Sequence, residues 1–379
     1  MLLRDKVYLV NVFKRYYYTH SKDICRSIRD FESREFAYVD FDNIMRRHIA
    51  LSESTFVEWI LNNVPRHFYY SSSYYLFPSK EMGEKGWLGA DLIFDIDIDH
   101  IKGYSPHKII VCVEDEELVI KESSSECKGT IEEVSFFTEA DYLIAKKELS
   151  RLVSILIEDF GIETKDIKIY FSGARGFHVH VESEALSKLD SYARMEIKDY
   201  LTFSGIDIKE VKSMNARPMK ELFLALTSND ERSKGIFTTR ELNYLRKLMN
   251  NYEKFISALK RNKRLLRKVN RFLVEHLSIS IDDIVTVDTS RLIRVPLSIH
   301  GKTGLIKTYV PLEKIDTFNP FNESILPLFN KVKLKVRYLP RLIWSYNEYG
   351  PYYNEEVILP EGLAVSLLLR NLGYHISFT

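Results

Sequence analysis

The stretch DLIFDIDIDH, residues 91–100, constrains this chain more than any other. Leu92, Ile93, Phe94, Ile96 and Ile98 have the β-branched and aromatic character of a buried strand, while Asp95, Asp97 and Asp99 occupy every second position. A period of two predicts that all three carboxylates share one face, with neighbours roughly 6 to 7 Å apart. Carboxylates that close repel unless cations, hydrogen bonds or water absorb the charge. The pattern therefore predicts a strand ending in an acidic site, with a divalent cation as the natural counter-charge. Alone, an Asp-x-Asp pair also occurs as surface carboxylates or as a helix cap.

With 379 residues, 45% hydrophobic and 28% charged, the chain can bury at least one large core as one elaborate domain or two. Its first twenty residues, MLLRDKVYLVNVFKRYYYTH, lack a signal-peptide-length apolar run and a small-residue cleavage site, and no segment reaches membrane-span length. A soluble protein of the cytoplasm, associated with the nucleoid and with no membrane partner, is expected. Cys25, Cys112 and Cys127 are too few and scattered for a disulfide framework, which suits a reducing compartment. The 23 Tyr and 22 Phe are read as core rings before base-stacking platforms.

Residues 5–30 read as helix, REFAYVDF and IMRRHIAL as a hairpin or two short strands, and 52–64 as a capped helix ending before Pro65. Leu143, Leu149, Val153, Leu156 and Ile157 recur at helical spacing from Glu139 to Phe160, and Gly161 closes that helix. Strands follow at IKIYFSG and FHVHVE, and a further strand is expected along IVTVDTSRLIRVP. Between Arg232 and Arg271 stand thirteen Lys or Arg, against four Glu in residues 231–275. Apolar residues recur there at near-helical intervals, predicting a helical hairpin with basic outer faces: a solvated surface, or a face that tracks a nucleic-acid backbone.

Two further constellations carry chemistry. In YFSGARGFHVHV, residues 170–181, two glycines permit a tight turn whose N–H groups can approach an anion, Ser172 offers a hydroxyl and Arg175 a forked charge suited to phosphate. His178 beside this turn is assigned to phosphate contact, and His180 on the same face to structure. In VDTSRLIRVPLSIHGKTGL, residues 287–305, Asp288 on the expected strand could complete a carboxylate trio, while Arg294, His300 and Lys302 form a positive end. Arg291 and Arg294 could equally pair with surface acids. Acids holding a cation and basic groups holding phosphates have complementary roles in nucleotidyl transfer.

FDIDIDH, SGARGFHVHV and VDTSRLIRVPLSIHGKTGL, in that order, with REFA and Arg46-Arg47-His48 upstream, resemble the small catalytic subunit of archaeal and eukaryotic DNA primase, in the archaeo-eukaryotic primase superfamily. The resemblance covers most of residues 10–310. It implies Mg²⁺ or Mn²⁺ on Asp95, Asp97 and Asp288, nucleotide contacts from Ser172, Arg175, His178, Arg294, His300 and Lys302, and primer synthesis from nucleoside triphosphates on a single-stranded DNA template. It also implies a large iron–sulfur primase subunit as partner. Asp99 is left outside the catalytic pair, as a supporting or structural residue. Relatives often carry a Cys-rich zinc knuckle after the aspartate strand; here only His100, His107, Cys112 and Cys127 are available, so zinc on His107, Cys112 and Cys127 is doubtful.

The expected fold is α/β (α+β), a mixed or antiparallel sheet flanked by helices. Residues 1–184 and 281–379 would form the catalytic core with a C-terminal extension, and 185–280 an inserted basic helical subdomain. The rival readings are a primase-polymerase of a mobile element, a gap-filling repair polymerase, a two-metal nuclease and a non-catalytic nucleic-acid-binding protein. The SGARG turn and the RVPLSIHGKTG stretch favour a triphosphate substrate over a nuclease's.

Overall fold

The structure, a computed structural model, describes residues 2–102, 104, 108–114, 117–121, 130–228, 233, 235–328 and 330–378. Each named strand pairs antiparallel with its neighbours, so the α+β class holds.

The aspartate segment forms β6 (Leu92–Asp97), at one edge of a sheet ordered β13 (Thr308–Tyr309), β10 (Ile167–Phe171), β11 (Gly176–Val181), β6. Alternation puts Phe94, Ile96, Phe171, Phe177 and Val179 on one face, where each is fully buried. That face packs against α3 (Glu139–Glu158), through buried Tyr142, Ala145, Leu149, Leu152 and Leu156. Burial of each large side chain contributes about 1.5–3 kcal/mol, so the sheet is anchored on its apolar face and its other face is left for chemistry. Thr138 and Asp141 start α3 with a reciprocal capping box, and Gly161 at φ +67° follows its end.

A second sheet runs β12 (Leu292–Arg294), β3 (His67–Ser71), β1 (Phe36–Val39), β2 (Met45–Ile49). The helices α1 (Leu3–Arg26) and α2 (Glu53–Asn63) pack together and join the same buried cluster. The hairpin β4 (Ser73–Tyr75) and β5 (Trp87–Ala90) leads into β6. Two buried arginines fix that entry. Arg34 pairs with Asp91 at 2.6 Å, donates to the carbonyls of Ser71 and Ser72 and lies 3.8 Å over the Tyr74 ring. Arg194, on α4 (Ser191–Thr202), donates to the carbonyls of Ala90 and Asp91. Buried guanidiniums are tolerated because these partners meet their donors.

Three more strands, β7 (Lys108–Glu114), β8 (Glu117–Lys121) and β9 (Thr130–Ser135), follow β6. Cys112 on β7 is buried and disulfide-bonded, whereas Cys25 is free. At the C-terminus, β14 (Lys331–Leu339) lies between β17 (Tyr352–Pro360) and β18 (Gly373–Phe378), beside the small hairpin β15 (Leu342–Trp344) and β16 (Asn347–Tyr349). With the fully buried α10 (Glu361–Leu369), this C-terminal segment joins the main core rather than a separate one.

The helices α5 (Arg217–Thr227), α6 (Thr239–Leu248), α7 (Tyr252–Arg261) and α8 (Lys263–Phe272) enclose a second buried cluster spanning Phe203 to Leu277. The expected helical hairpin is here a succession of three helices, α6 to α8. Asn251 and Asn262 break it, because each side chain accepts the N–H three residues on and so caps a new helix.

Two expectations about the acids are corrected. The strand ends at Asp97; residues Ile98–His100 form a 3₁₀ turn, so Asp99 does not continue the alternation. The strand expected along IVTVDTSRLIRVP is instead a short helix α9 (Asp283–Val287), then a loop, then the three-residue β12. Asp282 caps α9 by accepting the Ile284 N–H at 2.9 Å. This local bond outweighs the strand preference of the Val and Thr residues that follow.

Candidate active site

The register of β6 against β11 sets Asp95 beside His178 and Asp97 beside Gly176. Adjacent residues on antiparallel strands share a face, so Asp95, Asp97 and His178 line one cleft of about 170 Å³. Ser172, Arg175, Tyr69, Arg291, Arg294 and His300 also line it. A larger apolar cavity of about 770 Å³ lies between the start of α3 and the C-terminal strands, lined by Phe136, Tyr142, Phe321 and Trp344 among others, and holds none of these acids. Chemistry rather than size identifies the smaller cleft as the candidate site.

The loop between β10 and β11 is closed by Ser172, whose Oγ accepts the N–H groups of Ala174 (3.3 Å) and Gly176 (3.2 Å). Gly173 adopts φ +85°, where a Cβ would also stand 3.0 Å from His300. Thr303 and Tyr142 donate hydroxyls to the carbonyls of Gly173 and Ala174. The turn is thereby rigid, and Arg175 projects from it toward the acids. Its guanidinium donates to Asp97 at 2.9 Å and to Asp99. Arg175 bridges the two acids, and Asp99 acts through that bridge.

Burial, then the charges of Asp97 and Asp282, push the Asp95 carboxyl well above the usual carboxylate range. Burial also raises Asp97, against the opposing charge of Arg175. Asp95 Oδ1 is shielded from water and accepts no hydrogen bond. His178 Nε2 lies 3.6 Å away, beyond bonding distance, and burial holds that imidazole neutral, so the contact is not an ion pair. A buried carboxylate oxygen without a donor, next to two further acids, fits a cation. Among the described residues no three His, Cys, Asp or Glu side chains stand as a preformed metal cage, consistent with Arg175 occupying one side of Asp97.

Asp288 is not brought to this site. Its Oδ1 accepts the backbone N–H and the hydroxyl of Ser290, at 2.8 and 2.7 Å, and its charge is felt at Tyr75. Asp282 is the further acid beside Asp95: its N–H donates to the Asp95 carbonyl at 2.9 Å and its charge raises both Asp95 and Asp97. The signal was present in the sequence. An Asp opening a short helix keeps its carboxylate at the helix start, but read as strand the same residues select Asp288.

The basic wall comes from the second sheet and the loop after it. Arg294 is buried, its guanidinium 5.2 Å from the Tyr69 ring centre, with Nη2 3.3 Å from His67 Nδ1 and Nη1 without a partner. His300 Nδ1 accepts the N–H groups of Lys302 and Thr303, both at 3.3 Å. Burial and neighbouring cations keep it neutral, so its proton sits on Nε2 and can be donated. Lys302 is exposed beside it, and its charge reaches both His300 and His67. Sequence reading missed the fully buried Lys307. Its Nζ donates to the Arg294 carbonyl at 2.8 Å and lies 3.3 Å from His180 Nε2. His180 is buried without a place in the cleft lining, as a structural residue would be. For zinc, His107 and Cys127 lie outside the described residues.

Carboxylates against a wall of Arg and neutral His are the arrangement of an enzyme that acts on nucleotide phosphates. Residues 138–312 match the family model of the DNA primase small subunit. The chain is 38% identical to the DNA primase small subunit PriS of Archaeoglobus fulgidus, over 96% of this chain and 97% of that one. It is 35% identical to that of Picrophilus torridus, over 78% of this chain and 79% of that one, and 30% identical to that of Nitrosopumilus maritimus, over 97% and 98%. The chain belongs to the DNA primase small subunit family. Among solved structures, the polymerase domain of Mycobacterium tuberculosis ligase D in complex with DNA aligns at TM-score 0.37 and 11% identity, over 81% of this chain and 82% of that one, too remote to add to the assignment.

Proposed function

We propose that the chain is the catalytic subunit of a DNA primase, joining nucleoside triphosphates on a single-stranded DNA template into short RNA, or also DNA, primers. The observation that carries this is the convergence of Asp95 and Asp97 with Arg175, Arg294 and His300 on one cleft, with the charge of Asp282 acting on both acids from beside it. Asp95 and Asp97, with Asp282 in place of Asp288, would hold Mg²⁺ or Mn²⁺. When bound, the ions lower the pKa of the attacking 3′-hydroxyl and neutralise charge building on the α-phosphate and departing pyrophosphate.

The chain's own groups do the rest. The Arg294 guanidinium, with a free buried Nη1, and the His300 Nε2–H donate to phosphate oxygens. Lys302 adds charge at the rim, and Ser172 shapes the turn that aims Arg175. Arg175, held by Asp97 and Asp99 here, would be free to reach a phosphate if a cation took up the charge of Asp97. His178, neutral beside Asp95, can offer a hydrogen bond to a phosphate oxygen.

The same reading divides the chain into a catalytic core, 1–184 and 281–379, and an inserted basic lobe, 185–280; the separate buried cluster of residues 203–277 supports it. The expected partner is a large iron–sulfur primase subunit. The enzyme is expected in the cytoplasm, at the nucleoid; no helix among the described residues is long and apolar enough to cross a membrane.

The test is incubation with unprimed single-stranded DNA, labelled ribo- or deoxyribonucleoside triphosphates and Mg²⁺ or Mn²⁺, alone and with the large subunit. New oligonucleotides absent with Asp95→Ala support primase activity and report the sugar preference. Primer extension without initiation would favour a gap-filling polymerase, and DNA degradation a nuclease.

A further inference from the structure

Between residues 235 and 275 the chain carries eleven Lys or Arg and three Glu. Packing sorts them. The apolar residues Leu245, Phe255, Leu259, Leu265, Val269 and Phe272 are buried in the lobe's own core, so the cations are left on its outside. Two of the three glutamates are taken up locally, Glu241 by Lys268 and Glu275 by Arg271. Lys260, Arg261, Lys263, Arg264 and Arg267 are exposed, and among the described residues none has a carboxylate within ion-pair distance. Asn262, which ends α7 and caps α8, brings the first four of them onto one corner.

Two grooves flank that corner. One, of about 490 Å³, is lined by Lys209, Lys260, Lys263, Arg267 and Leu266; Lys209 is partly committed to Asp207 at 2.8 Å. The other, of about 620 Å³, includes Lys254, Arg261, Glu253 and Tyr244, whose ring is 47% exposed. A groove with four cations and a single leucine is a poor core for a protein interface, where charged residues are depleted at the centre. It suits a polyanion, whose phosphates meet each cation while water remains. An exposed tyrosine in the adjoining groove offers a face on which a base can stack.

We propose that the α7–α8 corner and the groove beside it, lined by Lys260, Lys263 and Arg267, are a second nucleic-acid contact that holds the backbone of the single-stranded template outside the catalytic cleft. This rests on the primase reading of that cleft but uses none of its residues. The contact raises affinity for DNA without taking part in bond formation.

The test is the triple variant Lys260→Glu/Lys263→Glu/Arg267→Glu in the full chain, with and without the large subunit. Lys14→Glu/Lys22→Glu/Lys80→Glu, exposed residues elsewhere, serves as a control of equal charge. Binding to a labelled 25-nucleotide strand is measured by anisotropy across a salt series, with synthesis at saturating template. The expected result is an affinity loss of about tenfold or more at 0.1 M salt and a salt slope smaller by about 2, from about 0.7 per phosphate contact on single strands. The rate at saturating template should stay unchanged and the control triple should lose markedly less. Unchanged affinity and slope, or an equal loss in the control, would overturn the proposal. So would intact DNA binding with lost association with the large subunit, which would assign the corner to an acidic protein face. Should the triple fail to fold by circular dichroism, the same comparison is made with Lys260→Gln/Lys263→Gln, where unchanged binding again overturns it. A parent chain that neither binds DNA nor makes primers would instead refute the primase reading.

Discussion

Gly176→Ala is expected to disable the cleft without touching any charged group. Gly176 pairs with Asp97 across β6 and β11. A Cβ there would stand 1.7 Å from the Ile96 carbonyl oxygen, 2.7 Å from its carbon and 2.9 Å from Asp97 Cα. All three are backbone atoms, so no rotamer change relieves the overlap. Carbon contacts settle near 3.5 Å, so the strands must part by about 1.5 Å or more at the acids. A misplacement of about 1 Å costs about a hundredfold in rate, so nucleotide joining should fall at least that much. Overpacking should also cost about 1–3 kcal/mol of stability. The assay is primer synthesis beside a Mn²⁺ titration followed by electron paramagnetic resonance and a thermal melt. Gly83→Ala, where a Cβ meets nothing within 4 Å, is the control. A folded Gly176→Ala protein with activity and Mn²⁺ affinity within threefold of the parent, about 0.7 kcal/mol, would refute the argument that this close approach positions Asp97.

The exchange of Asp288 for Asp282 has its own test. Asp282→Asn keeps the helix cap and removes only the charge, so activity should drop about a hundredfold or more with the melt unchanged, equivalent to about 2.7 kcal/mol of transition-state stabilisation. Asp288→Ala should remain active and lose about 1 kcal/mol of stability with its turn bonds; the reverse pattern in the two assays would restore Asp288. Asp95 has a carboxyl raised in the folded chain, so the metal-free fold binds more protons than the unfolded chain and loses stability as pH rises from the unfolded value toward the raised one. Asp95→Asn should therefore melt higher than the parent in chelator at pH 7.5, with the gap shrinking at pH 4.5; an equal or lower melt at pH 7.5 would contradict the buried, unpaired carboxylate. His300 and His178 are held neutral by burial, so neither should impose a titration near 6.5 on nucleotide affinity, and a step there that vanishes in His300→Gln would show His300 charging.

Much of the site was legible because it lies on local patterns. Alternation marked Asp95 and Asp97, and the glycine-flanked Ser172 to Arg175 turn stood out as an anion loop. His300 and Lys302 stood out beside a Gly turn. The misreadings came where two local preferences compete. The Val and Thr residues of 284–289 favour strand, whereas the Asp282 cap favours helix; the helix won, and Asp282 rather than Asp288 lies against Asp95. Arg175 stood out as a phosphate candidate but not as the bridge between Asp97 and Asp99, because that bridge depends on the strand ending one turn early. Lys307 carried no signal, since a lysine enclosed by Arg294, His180 and Tyr170 is recognisable only once three distant segments meet.

By itself the sequence determined the strand and turn that carry the acids and the anion loop, the segregation of cations to residues 232–271, and the family, because period, glycine placement and charge are properties of short stretches. The tertiary structure alone decided that Asp282 rather than Asp288 lies against Asp95, which basic groups face the acids and which are buried behind, and which lysines of the helical lobe remain unpaired. Those outcomes depend on strand register and on distances between residues hundreds of positions apart, and a linear pattern encodes neither.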